Sequence, residues 1–225
     1  PLNIKINVIP HASQWSGGLF QKKQVKELNI EELLERDEIS LPYSMLQDTY
    51  SGMTVLVTGA AGSIGSEICR QLLKFDFKKL ILLDQAESGL FDLEFELKKK
   101  GLKRAIQIEI ASVRDAAKLR KVFSHNKPDF VFHAAAYKHV PVVEKNPHEA
   151  ILVNILGTKN LASLSSKYVV NRFVMISTDK AVNPTNVMGA SKRAAELFVQ
   201  SLQNIEGNTT KFITTRFGNV LGSNG

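Results

Sequence analysis

The stretch "MTVLVTGAAGSIGSEICRQLLKF", residues 53–75, decides the fold of this chain. A β-branched apolar run reaches Gly59, and apolar residues at helical spacing follow Gly65, so a strand, a tight turn and a helix are predicted in succession. Glycines in a G-x-x-G-x-x-G pattern at such a turn let a pyrophosphate approach the free N–H groups of the helix N-terminus. The residues predicted to hold a dinucleotide here are Gly59, Gly62, Ser63, Ile64 and Gly65. A glycine-rich turn without a ligand is the alternative.

Strand-like and helix-like segments alternate from residue 53 onward. The six predicted strands are 53–58, 79–84, 104–110, 129–135, 172–178 and 211–217. The predicted helices between them are 63–75, 88–100, 115–126, 147–168 and 188–203. Strands that are each separated by a helix pair in parallel, and their nearly continuous apolar residues indicate a sheet covered on both faces. The sequence therefore predicts an α/β protein with a doubly wound parallel sheet, the Rossmann fold.

An acidic residue, Asp84, ends the second predicted strand. At this point of the fold a carboxylate accepts hydrogen bonds from the adenosine ribose hydroxyls and repels a 2′-phosphate, so NAD is favoured over NADP as the cofactor. Arg70 lies too far inside the first helix to bind such a phosphate. A helix cap or turn residue is the alternative role for Asp84.

Composition excludes several classes of protein. Apolar residues make up 44% and charged residues 23% of the chain, as in ordinary globular domains, and no apolar run approaches the length of a membrane span. The single cysteine rules out an internal disulfide framework, and His133 and His139 lack the spacing of metal ligands, so no metal is expected. The net charge of +7 lies in short lysine groups without interleaved aromatic residues, which indicates a solvated surface. A nucleic-acid partner is therefore not expected. The alternative interpretations of the positive charge are that it binds an anionic small molecule, a charged membrane surface or nucleic acid.

Both ends of the sequence suggest an internal piece of a longer protein. The chain begins with Pro1 and stops at "GNVLGSNG", just after the sixth predicted strand. Residues 1–52 are predicted to form a flanking segment or tether with a short helix capped near Asn29, and residues 53–225 the NAD-binding domain with the catalytic motifs. The C-terminal substrate-binding part is expected to be missing.

Four motifs carry a family resemblance: "TGAAGSIG", "HAAAYKHVPVVEKNP", "NILGT" and "STDKAVNPTNVMGASKR". Together they resemble the extended short-chain dehydrogenase/reductases, and more narrowly the nucleotide-sugar 4,6-dehydratases of bacterial polysaccharide and glycan biosynthesis. The long, membrane-anchored type that acts on UDP-N-acetylglucosamine is the most similar. The resemblance implies transmembrane helices upstream, a place on the cytoplasmic side of the inner membrane for the full-length protein, and self-association into a homo-oligomer. The piece itself is expected to be soluble.

The resemblance also implies a reaction, in which a UDP-sugar loses water to give a UDP-4-keto-6-deoxy sugar. Bound NAD takes a hydride from C4, water leaves across C5 and C6, and the hydride returns to C6. In the motif "STDK", Thr178 would hydrogen-bond the sugar, Asp179 would protonate the departing 6-hydroxyl and Lys180 would remove the C5 proton. A salt bridge at the end of a strand is the alternative reading of Asp179 and Lys180.

Met188 stands four residues before Lys192, where most relatives carry Tyr. A thioether cannot accept the C4 hydroxyl proton, so a disabled enzyme is one reading. The long membrane-anchored type carries Met here as well, and we therefore expect an active enzyme in which Asp179 or an ordered water takes that proton. Lys192 would bind the nicotinamide ribose, with a surface lysine as the alternative.

The remaining candidates surround these motifs. The residues Ala134, Ala135 and Ala136 are small where the cofactor must pass, and Ser112 stands where relatives carry an Asp that meets the adenine. The residues Lys138, His139 and Asn219 are expected to contact the substrate, with a turn as the alternative for Asn219. Asn154 is interpreted as a structural residue at a helix bend.

Three other functions compete with the dehydratase. A 4-epimerase or 4-reductase could use the same scaffold, although epimerisation at C4 needs no base such as Lys180 at C5. A non-catalytic NAD-binding protein is supported only by Met188. A nucleic-acid binder is supported only by the net charge.

Overall fold

The computed structural model describes residues 7–9, 26–27, 43–100 and 105–220. Contacts divide the chain into two compact units, residues 1–41 and 42–225. In the first unit, strand β1 (Asn7–Val8) pairs antiparallel with strand β2 (Lys26–Glu27). The short helix predicted near Asn29 lies outside the described residues. The division of the chain at residue 52 stays a prediction.

The second unit alternates strands and helices along the chain. Its strands are β3 (Thr54–Thr58), β4 (Lys79–Asp84), β5 (Ala105–Ile110), β6 (Phe130–His133), β7 (Arg172–Thr178) and β8 (Lys211–Phe217). Its α-helices are α1 (Tyr43–Tyr50), α2 (Ser63–Leu72), α3 (Glu87–Lys99), α4 (Ala116–Asn126), α5 (Val140–Lys145), α6 (Pro147–Ala150), α7 (Thr158–Lys167) and α8 (Val187–Gln203). A π-helical segment, Ile151–Gly157, joins α6 to α7, and a 3₁₀ turn, Asp179–Ala181, follows β7.

The six strands form one parallel sheet in the order β5-β4-β3-β6-β7-β8. The chain builds outward from β3 to β5 and then returns to place β6 on the other side of β3. Because the winding direction reverses there, the helices after β3 and β6 diverge and leave a crevice at the carboxyl ends of these strands. The predicted doubly wound parallel sheet is confirmed.

Apolar cores cover both faces of the sheet. Val55 and Val57 of β3 point toward one core, which includes Leu72 of α2 and Leu93 of α3. Leu56, between those valines, points to the opposite core, which is completed from α4, α7 and α8. Successive side chains of a strand alternate between faces, so a strand buried on both sides requires the unbroken apolar run that predicts it.

Helix α1 has no counterpart among the predicted elements. It spans eight residues, and the ring of Tyr50 near its end lies 5.1 Å from the Phe75 ring and 5.2 Å from the Phe130 ring. The helix is short and largely polar, so its stability comes from this packing on the sheet rather than from an apolar periodicity that a sequence would reveal.

The predicted helical stretch over residues 147–168 is helical from residue 147 to 167, with a π-helical segment in its middle. The segment divides into α6, the π-helical segment and α7. Asn154, fully buried in the π-helical segment, accepts a hydrogen bond from the Tyr137 N–H at 2.9 Å and donates to the Tyr137 carbonyl at 3.0 Å. Its amide also donates to Ser191 Oγ at 2.9 Å. A widened turn of this kind is frequent at functional sites, and here it carries the side chain that fixes the loop after β6.

No helix within residues 43–100 or 105–220 combines the length and apolar character that crossing a bilayer requires. Across the same residues, no three His, Cys, Asp or Glu side chains are grouped so as to hold a metal ion.

Candidate active site

Two adjoining cavities open at the carboxyl ends of the strands. The larger cavity measures about 280 Å³ and is lined by residues that follow β6, β7 and β8, together with Met188 and Lys192 of α8. The smaller cavity measures about 120 Å³ and lies against the glycine turn, Asp84 and Ser112. Ala134 and Ala136 line both cavities, so the two form neighbouring halves of one crevice.

The glycine turn is built for close backbone approach. Gly59 has a φ of 68°, and a Cβ at this position would lie 2.5 Å from the Ala135 nitrogen. A Cβ on Gly65 would collide with the carbonyl of Gly59, and one on Gly62 would lie 3.3 Å from the same oxygen. The turn therefore requires glycine at Gly59 for conformation and at Gly65 for packing.

Asp84 ends β4 and lines the smaller cavity, as predicted for a residue that meets a ribose. Its carboxylate also holds the glycine turn, because one oxygen accepts a hydrogen bond from the Ala61 N–H at 3.0 Å and the other from the Ala86 N–H at 3.0 Å. A carboxylate has about four acceptor positions, so it retains capacity for ribose hydroxyls. Asp84 therefore has both roles: it stabilises the glycine turn, as the alternative interpretation expected, and it lies in the predicted cofactor site.

The other predicted cofactor residues surround the same crevice. Ser63 is the first residue of α2, and the next residue, Ile64, lines the larger cavity. Ser112 lines the smaller cavity, where its hydroxyl accepts a hydrogen bond from the Arg114 N–H at 3.3 Å. Ala135 lines the smaller cavity next to Gly59. A glycine cradle at the start of a ten-residue helix, with a carboxylate and small side chains beyond it, fits a dinucleotide such as NAD.

Thr178, Asp179 and Lys180 form a hydrogen-bonded group at the end of β7. The Thr178 hydroxyl donates to Asp179 Oδ1 at 2.9 Å, and the Lys180 N–H donates to the same oxygen at 2.9 Å. Lys180 Nζ lies 3.2 Å from Asp179 Oδ1 and 3.3 Å from Asn219 Oδ1. Thr178, Lys180 and Asn219 line the larger cavity, whereas Asp179 is 56% exposed in its side chain and stands beside the cavity rather than in its lining.

These contacts decide the charge of Asp179. Hydrogen bonds from Thr178 and Lys180 lower the pKa of the Asp179 carboxyl. At neutral pH this group is a carboxylate, which suits it to accept a proton before it donates one. The salt bridge between Asp179 and Lys180, which was the alternative interpretation of these residues, is therefore present, and it lies at the mouth of the larger cavity.

Met188 and Lys192 are both buried on one face of α8. Met188 is 4% exposed and packs in a small apolar cluster with Val143 and Ala150, against which Tyr137 also packs. Lys192 is 4% exposed, and its Nζ donates to the Ile176 carbonyl at 2.7 Å. Burial lowers the pKa of Lys192 to about 8, although nearby Glu196 acts in the opposite direction. Lys192 is not a surface lysine.

Sequence reasoning missed part of the lining of the larger cavity. These residues are Tyr137, Ile176, Ser177, Phe217, Gly218 and Val220. Tyr137 lies between the predicted residues Ala136 and Lys138, so its position in the motif was the available signal. Lys138 and His139 line the cavity as expected and are exposed.

His133 is fully buried and takes no part in the crevice lining. Its Nδ1 lies 2.8 Å from Thr58 Oγ1 and its Nε2 lies 2.8 Å from Thr158 Oγ1, and burial lowers the pKa of the ring to about 3. Because the Thr158 hydroxyl donates to the Asn154 carbonyl, His133 Nε2 carries the proton and Nδ1 accepts from Thr58. The imidazole thus joins the end of β3 to the first residue of α7.

Curated proteins are similar to this chain over most of its length. The chain is 47% identical over 223 residues to the capsular polysaccharide biosynthesis protein CapD of Staphylococcus aureus, covering 99% of this chain and 37% of that protein. It is 38% identical over 178 residues to a UDP-N-acetylglucosamine 4,6-dehydratase (inverting) of Campylobacter jejuni, covering 78% of this chain and 52% of that protein. The chain therefore spans between about a third and a half of the length of these relatives.

Solved structures share the fold. The structure of Pen from Bacillus thuringiensis superposes with a TM-score of 0.72 at 33% identity, covering 78% of this chain and 53% of that one. The Bordetella bronchiseptica enzyme WbmG, crystallised with NAD, superposes with a TM-score of 0.61 at 25% identity, covering 74% of this chain and 53% of that one. The family model described as polysaccharide biosynthesis protein matches residues 55–225, which include the glycine turn and the Thr178–Lys180 group. The chain belongs to this polysaccharide biosynthesis protein family, as the resemblance of its motifs indicated.

Proposed function

We propose that this chain carries the NAD-binding and acid–base part of a nucleotide-sugar 4,6-dehydratase that acts on UDP-N-acetylglucosamine in bacterial polysaccharide or glycan biosynthesis. One observation carries the proposal. The hydrogen-bonded group of Thr178, Asp179 and Lys180 stands at the larger cavity beside the glycine turn, with Asn219 in contact with Lys180. A base positioned for C5, next to a carboxylate, is needed for elimination and not for epimerisation at C4.

The cofactor is held by groups already described. The glycine turn and the start of α2 receive the pyrophosphate, Asp84 receives the adenosine ribose, and Lys192 donates to the nicotinamide ribose. When bound, NAD accepts a hydride from the sugar and later returns it. The Asp84 carboxylate in the smaller cavity and the NAD-bound structural relative support NAD over NADP.

The proton transfers fall to two side chains. The ionised Asp179 takes the C4 hydroxyl proton as C4 is oxidised, so no tyrosine is required at residue 188. The new ketone acidifies the C5 hydrogen, which Lys180 removes once the ammonium proton of its salt bridge has been released to solvent. Asp179 then gives its proton to the departing 6-hydroxyl, which leaves as water, and Lys180 returns a proton to C5 when hydride adds at C6.

The other lining residues bind and orient the sugar nucleotide. Thr178 and Asn219 offer hydrogen bonds to the sugar hydroxyls, and the exposed side chains of Lys138 and His139 lie where a diphosphate would approach. The apolar cluster around Met188 keeps water from the floor of the cavity. We further infer from the family resemblance that the full-length protein works at the cytoplasmic face of the membrane and self-associates.

The test is incubation of the full-length protein with UDP-N-acetylglucosamine in heavy water, followed by mass spectrometry. The expected product has lost one water and carries one deuterium at C5. Asp179→Asn and Lys180→Met should each lower turnover by at least about 100-fold, which is the lower range for loss of a general acid or base. Lys98→Met, which removes an exposed lysine paired with Glu94 on α3, is the matched control and should leave turnover unchanged.

Two outcomes would contradict the proposal. An isomer of unchanged mass would identify a 4-epimerase. No conversion of this sugar or of other UDP-sugars, with NAD bound, would identify a non-catalytic NAD-binding protein.

A further inference from the structure

A buried carboxylate lies one helical turn beyond Lys192. Glu196 on α8 has no exposed side-chain surface, and both of its oxygens are engaged by Arg216 of β8. Arg216 Nε donates to Oε1 at 2.9 Å and Nη2 donates to Oε2 at 2.6 Å. Arg193 adds a third hydrogen bond at 3.1 Å. A two-point guanidinium–carboxylate pair fixes orientation as well as distance, because both groups are planar.

This pair lies where α8, β7 and β8 meet. Arg216 is aligned with Ser177 of β7, and the carbonyl of the preceding residue, Ile176, accepts the hydrogen bond from Lys192. Glu196 and Lys192 are four residues apart and share one face of α8. The pair is therefore connected to Lys192 through both the helix and the neighbouring strand.

The same pair leads to the substrate side of the crevice. Phe217, Gly218 and Asn219 follow Arg216 directly, and all three line the larger cavity. β8 is an edge strand of the described sheet, so its only neighbouring strand is β7. The pairing of Arg216 with Glu196 on α8 also holds its end. Asn219 in turn accepts a hydrogen bond from Lys180.

Charge reinforces this geometry. Burial opposes ionisation of Glu196, but hydrogen bonds from Arg216 and Arg193 outweigh it and lower the pKa to about 2. The resulting negative charge raises the pKa of Lys192 against the effect of burial. His133 of β6 stays neutral near Lys192. The other charged or titratable groups around the larger cavity are Tyr137, Lys138, His139, Asp179 and Lys180.

We propose that Glu196 and Arg216 are positioning residues that set the cofactor lysine Lys192 and the substrate-contacting residue Asn219 as one unit. Glu196 acts on Lys192 by charge and on Asn219 through Arg216 and the end of β8. This inference rests on the proposed function for the roles of Lys192 and Asn219.

The first measurement is NAD affinity by calorimetry between pH 6 and 9.5. The ammonium form of Lys192 donates the stronger hydrogen bond, so affinity should fall as pH rises through about 8. Glu196→Gln removes the negative charge, and the midpoint of this fall should move down by about one pH unit. The second measurement is KM for UDP-N-acetylglucosamine, which the same change should raise by about tenfold while kcat changes less.

Two further variants separate the halves of the proposal. Arg216→Lys keeps the charge but loses the two-point pairing, so it should raise KM and leave the pH midpoint of NAD binding unchanged. Glu96→Gln is the matched control, because Glu96 makes an equivalent pair with Arg70 at 2.9 and 3.0 Å on α3 and α2, away from the crevice. It should change neither quantity.

The proposal is overturned if Glu196→Gln, correctly folded, behaves like Glu96→Gln in both measurements. If Glu196→Gln does not fold, Arg216→Met replaces it. This change should move the pH midpoint of NAD binding upward and raise KM. If neither quantity changes, the proposal is overturned as well. Absence of turnover in the unmodified protein would count against the proposed function alone. The NAD titration, and UDP-sugar binding by calorimetry in place of KM, would still decide the role of the pair.

Discussion

Replacement of Met188 tests whether its sulfur has a chemical role. The side chain is 4% exposed and packs on Val143 and Ala150 beside the larger cavity. Met188→Leu conserves volume and should cost less than about 1.5 kcal/mol in the free energy of unfolding. Met188→Ala removes three heavy atoms and should cost about 2–3 kcal/mol, at the low end of such losses because water from the open crevice can enter the space. A chain of this size loses about 2–4 °C in Tm per kcal/mol, so the alanine variant should melt roughly 4–12 °C lower.

Turnover should follow packing rather than sulfur chemistry. Met188→Leu should keep kcat within about threefold of the unmodified protein, because the proposed mechanism gives the C4 hydroxyl proton to Asp179. Met188→Tyr should not raise kcat, since a ring forced into this cluster costs about 1–3 kcal/mol of overpacking and its hydroxyl has no established task. Thermal unfolding and the heavy-water product assay measure both effects. If Met188→Leu lost as much activity as Asp179→Asn while keeping its Tm, the thioether would have a direct role and the reasoning would be refuted.

Three further outcomes are expected. Gly59→Ala should weaken NAD binding by at least about tenfold in calorimetry, because it combines left-handed strain of about 1–2 kcal/mol with a backbone clash. The control is Gly52→Ala, at a φ of 71° with open space around it, which should carry only the strain and bind NAD normally. Asn154→Leu should lower the free energy of unfolding, measured in urea, by about 2–4 kcal/mol, because it leaves the Tyr137 N–H and carbonyl without their buried partner. A loss below about 1 kcal/mol would contradict that role. Burial lowers the pKa of His133 in the folded state to about 3, so the unfolded chain binds a proton at higher pH than the folded chain does. Stability should therefore fall as pH drops from about 6.5 toward 3, by up to about 1.4 kcal/mol per pH unit. His133→Gln should flatten this part of the curve of unfolding free energy against pH.

Local patterns account for the elements that the sequence predicted correctly. Strands β3 and β4 were identified because a strand buried on both faces must be apolar along its length, and the glycine turn because a left-handed residue and a close helix need glycine. The predicted cofactor and substrate residues were placed by the same motifs, and the structure brings them to one crevice. Ser63, Gly65 and Asp179 stand beside the crevice and are not in the lining of either cavity.

The errors have a common physical origin. The π-helical segment inside the predicted helix 147–168 was missed, and there Asn154 bonds to the backbone of Tyr137, which lies 17 residues earlier. Helix α1 was missed because aromatic packing from Phe75 and Phe130 stabilises it. Neither contact leaves a periodic signal, since both depend on partners that are distant in sequence.

The sequence by itself determined the order of strands and helices, the dinucleotide turn and the chemical groups available for acid–base work. Only the tertiary structure decided that Lys192 is buried, that Lys180 meets Asn219 and that Glu196 pairs with Arg216 across 20 residues. Periodicity and turn chemistry act between neighbours along the chain and can be read from it directly. Burial and pairing depend on the reversal of winding between β3 and β6, which assembles the ends of strands that lie far apart in sequence.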